Sequence, residues 1–266
     1  DVFFSCTGHH RTDTISDSEE WKIEDSEAPV NVNEKPIVIL SNEDGTYQKR
    51  FATSYASYAH AASAGDVNGD GLIDVVMTDG KDFEEDNGSY RLVRGKSLWF
   101  LFGNGDGSFE LSDGKSILPD EIYNEPRKYF SLEIIDINND NTLDIWVGGA
   151  GRDWILFNDG SGDFSKNYSE VPKAANYYES MDALKVNNHL YVYSINEDYS
   201  KPNYYWGDAL TKIDLSSFNS QVVYEHEGYY RTEGVCRGPT CIHWEGDDYL
   251  MSWFPWIVSL DDKIRP

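Results

Sequence analysis

The sequence has few basic residues, few cysteines and no long apolar run. Its 266 residues carry 22 Lys and Arg against 47 Asp and Glu, which gives a formal net charge of −25. A chain with so little positive charge lacks the basic surface that binds nucleic-acid phosphates or anionic lipid. The apolar runs are four or five residues long, far shorter than the about 18 residues needed to cross a bilayer. The sequence therefore predicts no nucleic-acid partner and no membrane insertion.

Three cysteines are present, and none belongs to a Cys-x-x-Cys pair that would indicate a zinc or iron–sulfur site. Cys236 and Cys241 bracket the turn-forming stretch Arg-Gly-Pro-Thr. We predict a disulfide between these two cysteines, which closes a small loop in an oxidising compartment. The alternative is a pair of reduced thiols on neighbouring strands. Cys6 is then either a buried small hydrophobe or the partner of a cysteine outside this sequence.

Two kinds of segment repeat along the chain, and both are typical of β-structure. The first is an Asp-rich loop that leads into a short apolar run, and it occurs at Asp66–Asp74 and Asp136–Asp144. The second is an apolar run that ends in a Gly/Asp/Asn turn and an aromatic residue. It occurs three times, at Ile37–Tyr47, Trp99–Phe109 and Trp154–Phe164. Short apolar runs bounded by such turns predict strands joined in hairpins.

The 70-residue spacing of the two Asp-rich loops suits a four-stranded unit with insertions, as in a β-propeller blade. We therefore predict an all-β protein made of four-stranded antiparallel blades, at least one of them incomplete. The whole chain, 1–266, is then a single β-propeller domain or a fragment of one. Weaker copies of the repeat extend the count to about five units, at approximately 1–50, 51–110, 120–165, 175–220 and 221–266.

Helical periodicity is nearly absent, and the best candidate helix is the short segment 208–214. Two acidic inserts, residues 13–34 and 81–89, interrupt the repeats, and their charge runs predict solvated loops.

The Asp-rich loops carry oxygen ligands at alternate positions, a spacing that converges on a hard cation when a tight turn wraps the chain. Positions 1, 3 and 5 hold the side-chain oxygens, position 6 needs a residue that accepts positive φ, position 7 offers a backbone carbonyl, and position 9 closes the shell. The first loop supplies Asp66, Asn68, Asp70, Gly71, Leu72 and Asp74; the second supplies Asp136, Asn138, Asp140, Asn141, Thr142 and Asp144.

Three carboxylates and one amide per loop suit Ca²⁺ better than Mg²⁺, which retains its waters and demands octahedral geometry. The sequence therefore predicts two Ca²⁺ sites. An EF-hand would need Glu at position 12, where Met77 and Val147 stand instead. The remaining alternative is a pair of Asp/Asn turns that hold no metal.

The two loops, together with the turns Gly103–Phe109 and Asn158–Phe164, resemble FG-GAP/VCBS repeats. Such repeats build the Ca²⁺-binding β-propeller of integrin α chains and of many bacterial surface proteins. The resemblance is strong over residues 37–165 and loose elsewhere, because the ligand pattern ends after residue 165. It implies one Ca²⁺ in each loop, held by the residues at positions 1, 3, 5, 7 and 9, with Leu72 and Thr142 at position 7 acting through their backbone oxygens.

By this resemblance the expected role is recognition or adhesion at the cell surface or outside the cell, with a protein or a glycan as ligand. Two other classes stay open: a structural subunit that contacts its neighbours in a surface assembly or filament, and an enzyme acting on polysaccharide. No catalytic triad, P-loop or nucleotide fingerprint occurs in the sequence, so we predict no catalytic residues and no enzymatic activity.

Overall fold

Strands dominate the protein. The computed structural model describes residues 2–4, 9–11, 30–32, 35–42, 44–54, 59–79, 82–86, 89–93, 98–124, 129–150, 152–173, 179–197, 205–226, 242–245 and 248–251. Within these ranges the single helix is one turn long, which confirms the prediction of an all-β fold. None of the described residues forms a helix long and apolar enough to cross a membrane. The chain divides into two compact units, Asp1–Lys128 and Tyr129–Pro266.

The first unit contains eleven described strands and one short helix. In chain order they are β1 (Val2–Phe4), β2 (His9–Arg11), β3 (Val30–Val32), β4 (Ile37–Ser41), β5 (Tyr47–Phe51), β6 (Ala62–Gly65), β7 (Asp74–Thr78), β8 (Asp82–Asp86), β9 (Ser89–Val93), β10 (Leu98–Gly103), β11 (Phe109–Ser112) and α1 (Asp120–Tyr123).

These strands form two main antiparallel sheets, one of three strands in the order β1-β4-β5 and one of four in the order β6-β7-β10-β11. A separate hairpin interrupts each sheet: β2–β3 lies between β1 and β4 in the chain, and β8–β9 lies between β7 and β10. The prediction of solvated loops at 13–34 and 81–89 was therefore wrong for the parts of those inserts that pair as strands. In each hairpin the backbone N–H and C=O groups pair between the two strands, and the side-chain pattern of the sequence does not indicate this pairing.

The core of the first unit lies between its two main sheets. Val75, Met77 and Leu101 of the four-stranded sheet are buried. Phe3 of the three-stranded sheet packs edge-on against Phe109, with ring centroids 6.2 Å apart. Burial of these apolar faces is what holds the two sheets together.

The second unit contains ten described strands: β12 (Tyr129–Ile135), β13 (Asp144–Gly149), β14 (Asp153–Leu156), β15 (Tyr168–Val171), β16 (Glu179–Val186), β17 (His189–Glu197), β18 (Tyr205–Asp214), β19 (Ser220–His226), β20 (Ile242–Glu245) and β21 (Asp248–Met251). They form two four-stranded antiparallel meanders, β12-β13-β14-β15 and β16-β17-β18-β19, and the hairpin β20–β21. The prediction of four-stranded antiparallel sheets is thus confirmed.

Two details of the prediction were wrong in this unit. Residues 208–214 belong to β18 rather than to a helix. β18 pairs with β17 on one side and β19 on the other. Its Ala209, Leu210, Thr211 and Ile213 are buried, so they belong to a central strand and not to one face of a helix. The fourth repeat also extends beyond the predicted boundary at 220, because β19 completes that sheet.

The core of the second unit joins the two meanders. Trp146, Ile155 and Ile137 of the first meander pack in one cluster with Leu190 and Ile213 of the second. Gly148 of β13 lies at this contact: an added Cβ would lie 2.8 Å from Ser180 Cβ on β16 and 2.6 Å from the Trp146 ring of its own strand. A side chain larger than hydrogen therefore does not fit at position 148.

A buried polar network also links these two meanders. Asp153 of β14 is 1% exposed and accepts a hydrogen bond from the hydroxyl of Ser180 on β16. Its other carboxylate oxygen forms an ion pair with Lys173 at 2.9 Å, and the same ammonium donates to the carbonyl oxygen of Gly149. Burial raises the pKa of Asp153, and the charge of Lys173 and the hydrogen bonds to the carboxylate act in the opposite direction. The hydrogen bonds and the ion pair of this network compensate the buried charge of Asp153 and connect the two meanders.

Candidate metal-binding loops

The first Asp-rich loop connects β6 to β7 and is folded around the side chain of Asp66. The Asp66 carboxylate accepts hydrogen bonds from the backbone N–H groups of Gly69 at 2.8 Å, Asp70 at 3.1 Å and Gly71 at 2.9 Å. Gly69 and Gly71 both have positive φ, 76° and 85°, a conformation that glycine adopts without steric cost. These bonds curl the loop so that its side chains lie near one another.

The side chains at positions 3 and 5 of this loop touch directly. Asn68 Nδ2 donates to Asp70 Oδ2 at 3.0 Å, and Asn68 Oδ1 accepts from the Asp70 backbone N–H at 3.0 Å. Asp70 Oδ1 accepts from the backbone N–H of Leu72 at 2.8 Å. The structure thus brings Asn68 and Asp70 together on the exposed side of the loop.

The second loop connects β12 to β13 and repeats this pattern of contacts. The Asp136 carboxylate accepts from the N–H groups of Asn139 at 2.7 Å, Asp140 at 3.2 Å and Asn141 at 3.1 Å. Asn138 Nδ2 donates to Asp140 Oδ2 at 2.7 Å. Asn139 and Asn141 have φ of 65° and 68°, so asparagine takes the left-handed conformation that glycine takes in the first loop. Two segments of different sequence therefore fold to the same local geometry.

Position 9 of each loop plays a different part, because its carboxylate is buried under the loop. Asp74 accepts from the N–H groups of Val67 at 3.0 Å and Gly103 at 2.9 Å. Asp144 accepts from the N–H groups of Ile137 at 2.8 Å and Asn158 at 2.9 Å. Both carboxylates are completely shielded from solvent. Asp74 therefore ties the second residue of its loop to the last residue of β10. Asp144 ties the second residue of its loop to Asn158, which lies two residues beyond the end of β14.

Carboxylate repulsion is present in both loops. Burial raises the pKa of Asp74, and the nearby charge of Asp70 raises it further, against the hydrogen bonds that lower it. Burial likewise raises the pKa of Asp144, and Asp140 contributes in the same direction. In contrast, hydrogen bonds from Thr142 and Asn138 lower the pKa of the exposed Asp140. A bound cation would relieve the repulsion between the carboxylates of each loop.

The residues of both loops offer only hard oxygen donors, the chemistry that Ca²⁺ requires. Within the described ranges, however, no three Asp, Glu, His or Cys side chains converge in a geometry that could hold a metal. The side chains that do meet are the amide and carboxylate at positions 3 and 5, while the position 1 carboxylate holds backbone N–H groups. Leu72 and Thr142 each donate a backbone N–H to the position 5 carboxylate. The donor types fit Ca²⁺. To coordinate one ion, the side chains at positions 1, 3 and 5 would have to exchange some of these hydrogen bonds for contacts with the metal.

Two residues that the sequence did not single out support the second loop. Asn158 is buried, and its backbone carbonyl accepts from the Thr142 hydroxyl at 2.9 Å while its side-chain amide donates to the Leu143 carbonyl at 3.0 Å. Lys185, on β16, donates to the backbone carbonyl of Asp136 and to Asn139 Oδ1. The only sequence signal for Asn158 is its place at the start of a turn; Lys185 carries none.

The turns that end the repeated apolar runs have a structural role of their own. In the turn after β4, Asn42 donates from its side chain to Thr46 Oγ1 at 2.8 Å, and Asp44 accepts from the Thr46 N–H at 2.9 Å. The turn after β10 makes the same contacts, Asn104 to Ser108 Oγ at 3.0 Å and the Ser108 N–H to the Asp106 carboxylate at 2.9 Å. Their acidic residues are thus already used to close hairpins.

Two half-buried carboxylates face each other away from the loops. Glu133 lies on β12 and Asp182 on β16, the first strands of the two meanders. Burial, with the charge of Asp182 in addition, raises the pKa of Glu133 to about 7. Burial also raises the pKa of Asp182. The pair is a source of pH dependence close to neutrality.

A half-open cavity of about 530 Å³ lies between the two main sheets of the first unit. No charged side chain of the described residues lines it; its walls include Phe3, Val38, Leu40, Leu72, Ile73 and Phe109. Leu72 and Ile73 belong to the first Asp-rich loop, so the loop forms part of the cavity rim.

The predicted disulfide lies outside the described residues, as do all three cysteines: Cys6, Cys236 and Cys241. The pairing of Cys236 with Cys241 stays a prediction. Comparison with known proteins adds no assignment: no protein-family model matches the chain, and no curated protein matches it significantly.

Proposed function

We propose that this chain is a Ca²⁺-binding protein of the β-propeller type that acts in recognition or adhesion at the cell surface or outside the cell. The observation that carries the proposal is the repetition of one loop geometry at two places in the chain. In both loops the position 1 carboxylate gathers three backbone N–H groups, and the position 3 amide contacts the position 5 carboxylate. Both loops also join the first two strands of a four-stranded sheet.

The charge of the loops supports a cation as the ligand. Each loop places three carboxylates within nine residues. Burial is the main cause of the raised pKa values of Asp74 and Asp144, and the charge of the position 5 carboxylate adds to it. An oxygen-only donor set with a backbone carbonyl at position 7 favours Ca²⁺ among common divalent ions. When bound, Ca²⁺ would neutralise the carboxylates and be held by positions 1, 3, 5, 7 and 9.

The sheet topology supports a propeller arrangement. Three of the sheets are four-stranded antiparallel meanders in chain order, with a hairpin inserted in one of them, which is the composition of propeller blades. A rigid array of such sheets presents connecting loops as a binding surface. A protein or glycan ligand is the partner we propose for that surface, by analogy with the repeats that the motifs resemble.

Calcium dependence is tested by thermal unfolding in chelator, in Ca²⁺ and in Mg²⁺. Ca²⁺ that binds only the folded loops adds about 2.7 kcal/mol per site when its free concentration is a hundredfold above the dissociation constant. We expect the melting temperature to fall on chelation and to recover with Ca²⁺ but much less with Mg²⁺. Asp70→Ala and Asp140→Ala should each remove part of the recovery.

Asp106→Ala is the matched control, since it removes an exposed acid from a turn outside both loops and should leave the calcium response intact. Identical unfolding curves in chelator and in excess Ca²⁺ would contradict the proposal. Screening the Ca²⁺-loaded and chelated chain against glycans and cell-surface proteins then separates recognition, which requires a ligand, from a purely structural role.

A further inference from the structure

The second loop is held by a lysine that belongs to the neighbouring meander. Lys185 lies near the end of β16, and its ammonium donates to the backbone carbonyl of Asp136 and, at 2.7 Å, to Asn139 Oδ1. These acceptors are positions 1 and 4 of the loop, so a single side chain spans the tight part of the turn. Both acceptors are neutral oxygens, so among the described residues Lys185 holds the loop without pairing with one of its carboxylates.

The first loop has no equivalent support in the part of the chain that the structure describes. Its position 4 is Gly69, which has no side chain to hold. The backbone also differs in strain, because positions 4 and 6 have positive φ in both loops and are glycines only in the first. Asparagine adopts this conformation at a higher energetic cost than glycine, and surrounding contacts can offset that cost. Lys185 and Asn158 provide such contacts to the second loop.

We propose that Lys185 is a positioning residue that keeps the second loop in its metal-binding conformation and makes it the tighter of the two calcium sites. The inference rests on the proposed calcium function. A loop that is already ordered loses less conformational entropy when it binds an ion, and this gain in pre-organisation appears as affinity. The first loop, with two glycines and no lysine contact among the described residues, has more conformational freedom to lose when it binds the ion.

The coupling between the Lys185 contact and Ca²⁺ binding also acts in the opposite direction. If Lys185 strengthens Ca²⁺ binding to the second loop, bound Ca²⁺ strengthens the contact between the loop and β16 by the same factor, because coupling between two equilibria is reciprocal. Metal at this site therefore stabilises the junction of the two meanders and not the loop alone.

The test measures Ca²⁺ affinity by calorimetry in a background that leaves one loop functional. With the first loop disabled by Asp70→Ala, Lys185→Met should weaken binding by about tenfold, and Lys185→Arg, which keeps a donor for both oxygens, should restore most of the affinity. Lys212→Met is the matched control. It removes the same charge from β18 in the same meander, where the ammonium lies 5.7 Å from the Tyr191 ring.

A second background separates positioning from general damage. With the second loop disabled by Asp140→Ala, Lys185→Met should leave the affinity of the first loop unchanged. In the metal-free protein, amide hydrogen exchange of residues 139–142 should be faster in Lys185→Met than in wild type, a readout that needs no bound ion.

Unchanged or tighter binding to the second loop in Lys185→Met would overturn this inference and leave the calcium proposal intact. If Lys185→Met weakened Ca²⁺ binding equally at both loops, the effect would be global and the inference would be overturned as well. If Lys212→Met weakened Ca²⁺ binding as much as Lys185→Met, the effect would be one of charge alone, with the same consequence. Absence of Ca²⁺ binding to the wild-type chain would overturn the calcium proposal and this inference together.

Discussion

Replacing the buried carboxylate of Asp144 by alanine is expected to destabilise the chain strongly even when no metal is present. Asp144 is fully shielded and accepts hydrogen bonds from the N–H groups of Ile137 and Asn158 at 2.8 and 2.9 Å. Ile137 and Asn158 are themselves 1% and 4% exposed. Water therefore has little access to the two donors once the carboxylate is gone.

The magnitude follows from these two donors. A buried N–H left without an acceptor costs about 1–3 kcal/mol, so two of them cost about 2–6 kcal/mol. Removing a carboxylate whose charged form is disfavoured by burial, as the raised pKa of Asp144 indicates, offsets part of this cost. We therefore expect Asp144→Ala to lower the free energy of unfolding by about 2–4 kcal/mol, in the lower part of that range. Asp140→Ala, at the exposed position 5 of the same loop, should cost about 0.5 kcal/mol under the same conditions.

The assay is urea-induced unfolding in the presence of a chelator, with wild type, Asp144→Ala and Asp140→Ala measured side by side. Asp144→Asn serves as an isosteric control, because its single amide oxygen keeps one acceptor and should give an intermediate loss. When Ca²⁺ is added, the difference in urea midpoint between wild type and Asp140→Ala should widen, because the proposed calcium site loses a ligand in a variant that is otherwise almost as stable as wild type. Equal urea midpoints for the position 5 and position 9 alanine variants in chelator would refute the distinct structural role of the buried carboxylate.

The remaining predictions concern a half-buried acid and a pair of glycines. The pKa of Glu133 is raised from 4.5 to about 7 in the folded chain. The folded state therefore holds this proton more tightly than the unfolded state, and the stability it contributes is lost as the pH rises through that window. Glu133→Gln should flatten this fall, as measured by urea midpoints across the window. Gly45 and Gly107 occupy equivalent turn positions with φ of 80° and 82°, but an added Cβ meets Leu40 Cδ1 at 2.4 Å only at Gly107. Gly45→Ala should cost about 1–2 kcal/mol from the left-handed backbone, and Gly107→Ala about 1–3 kcal/mol more from the clash, both by urea unfolding.

The sequence predicted the fold class well because strand and turn signals are local. Apolar runs such as Trp154–Phe157 end at Gly/Asp/Asn turns, and both features depend on residues adjacent in the chain. The segment 208–214 was misjudged because Ala209, Leu210 and Ile213 recur at spacings of three and four residues, which also fit one face of a helix. The strands that pair with this segment on both sides lie elsewhere in the chain. The hairpins that overlap the acidic inserts were missed because β3 is three residues long and β8 is acidic at four of its five positions. Among the described strands, those of each hairpin pair only with each other.

The candidate site was predictable to the extent that it lies within one short segment. Positions 1 to 9 of each loop fold through Asx-type hydrogen bonds between residues two to five apart, so spacing alone indicates them. Asn158 lies 14 residues from Asp144, and Lys185 lies 49 residues from Asp136. Contacts over such distances arise from the pairing of strands and the packing of sheets, which no local pattern encodes.

The length of the loops argues that they do more than connect strands. β16 and β17 form the first hairpin of the second meander through only two residues, Asn187 and Asn188, with Asn187 at φ 54°. The corresponding connection between β12 and β13 uses eight residues, 136–143. Each additional ordered residue costs conformational entropy of about 1–2 kcal/mol, and the second loop also carries two asparagines in a strained backbone conformation. A fold that builds the same hairpin with two residues has no topological need for eight, and a longer, acidic connection is what we expect of a loop that binds the proposed cation.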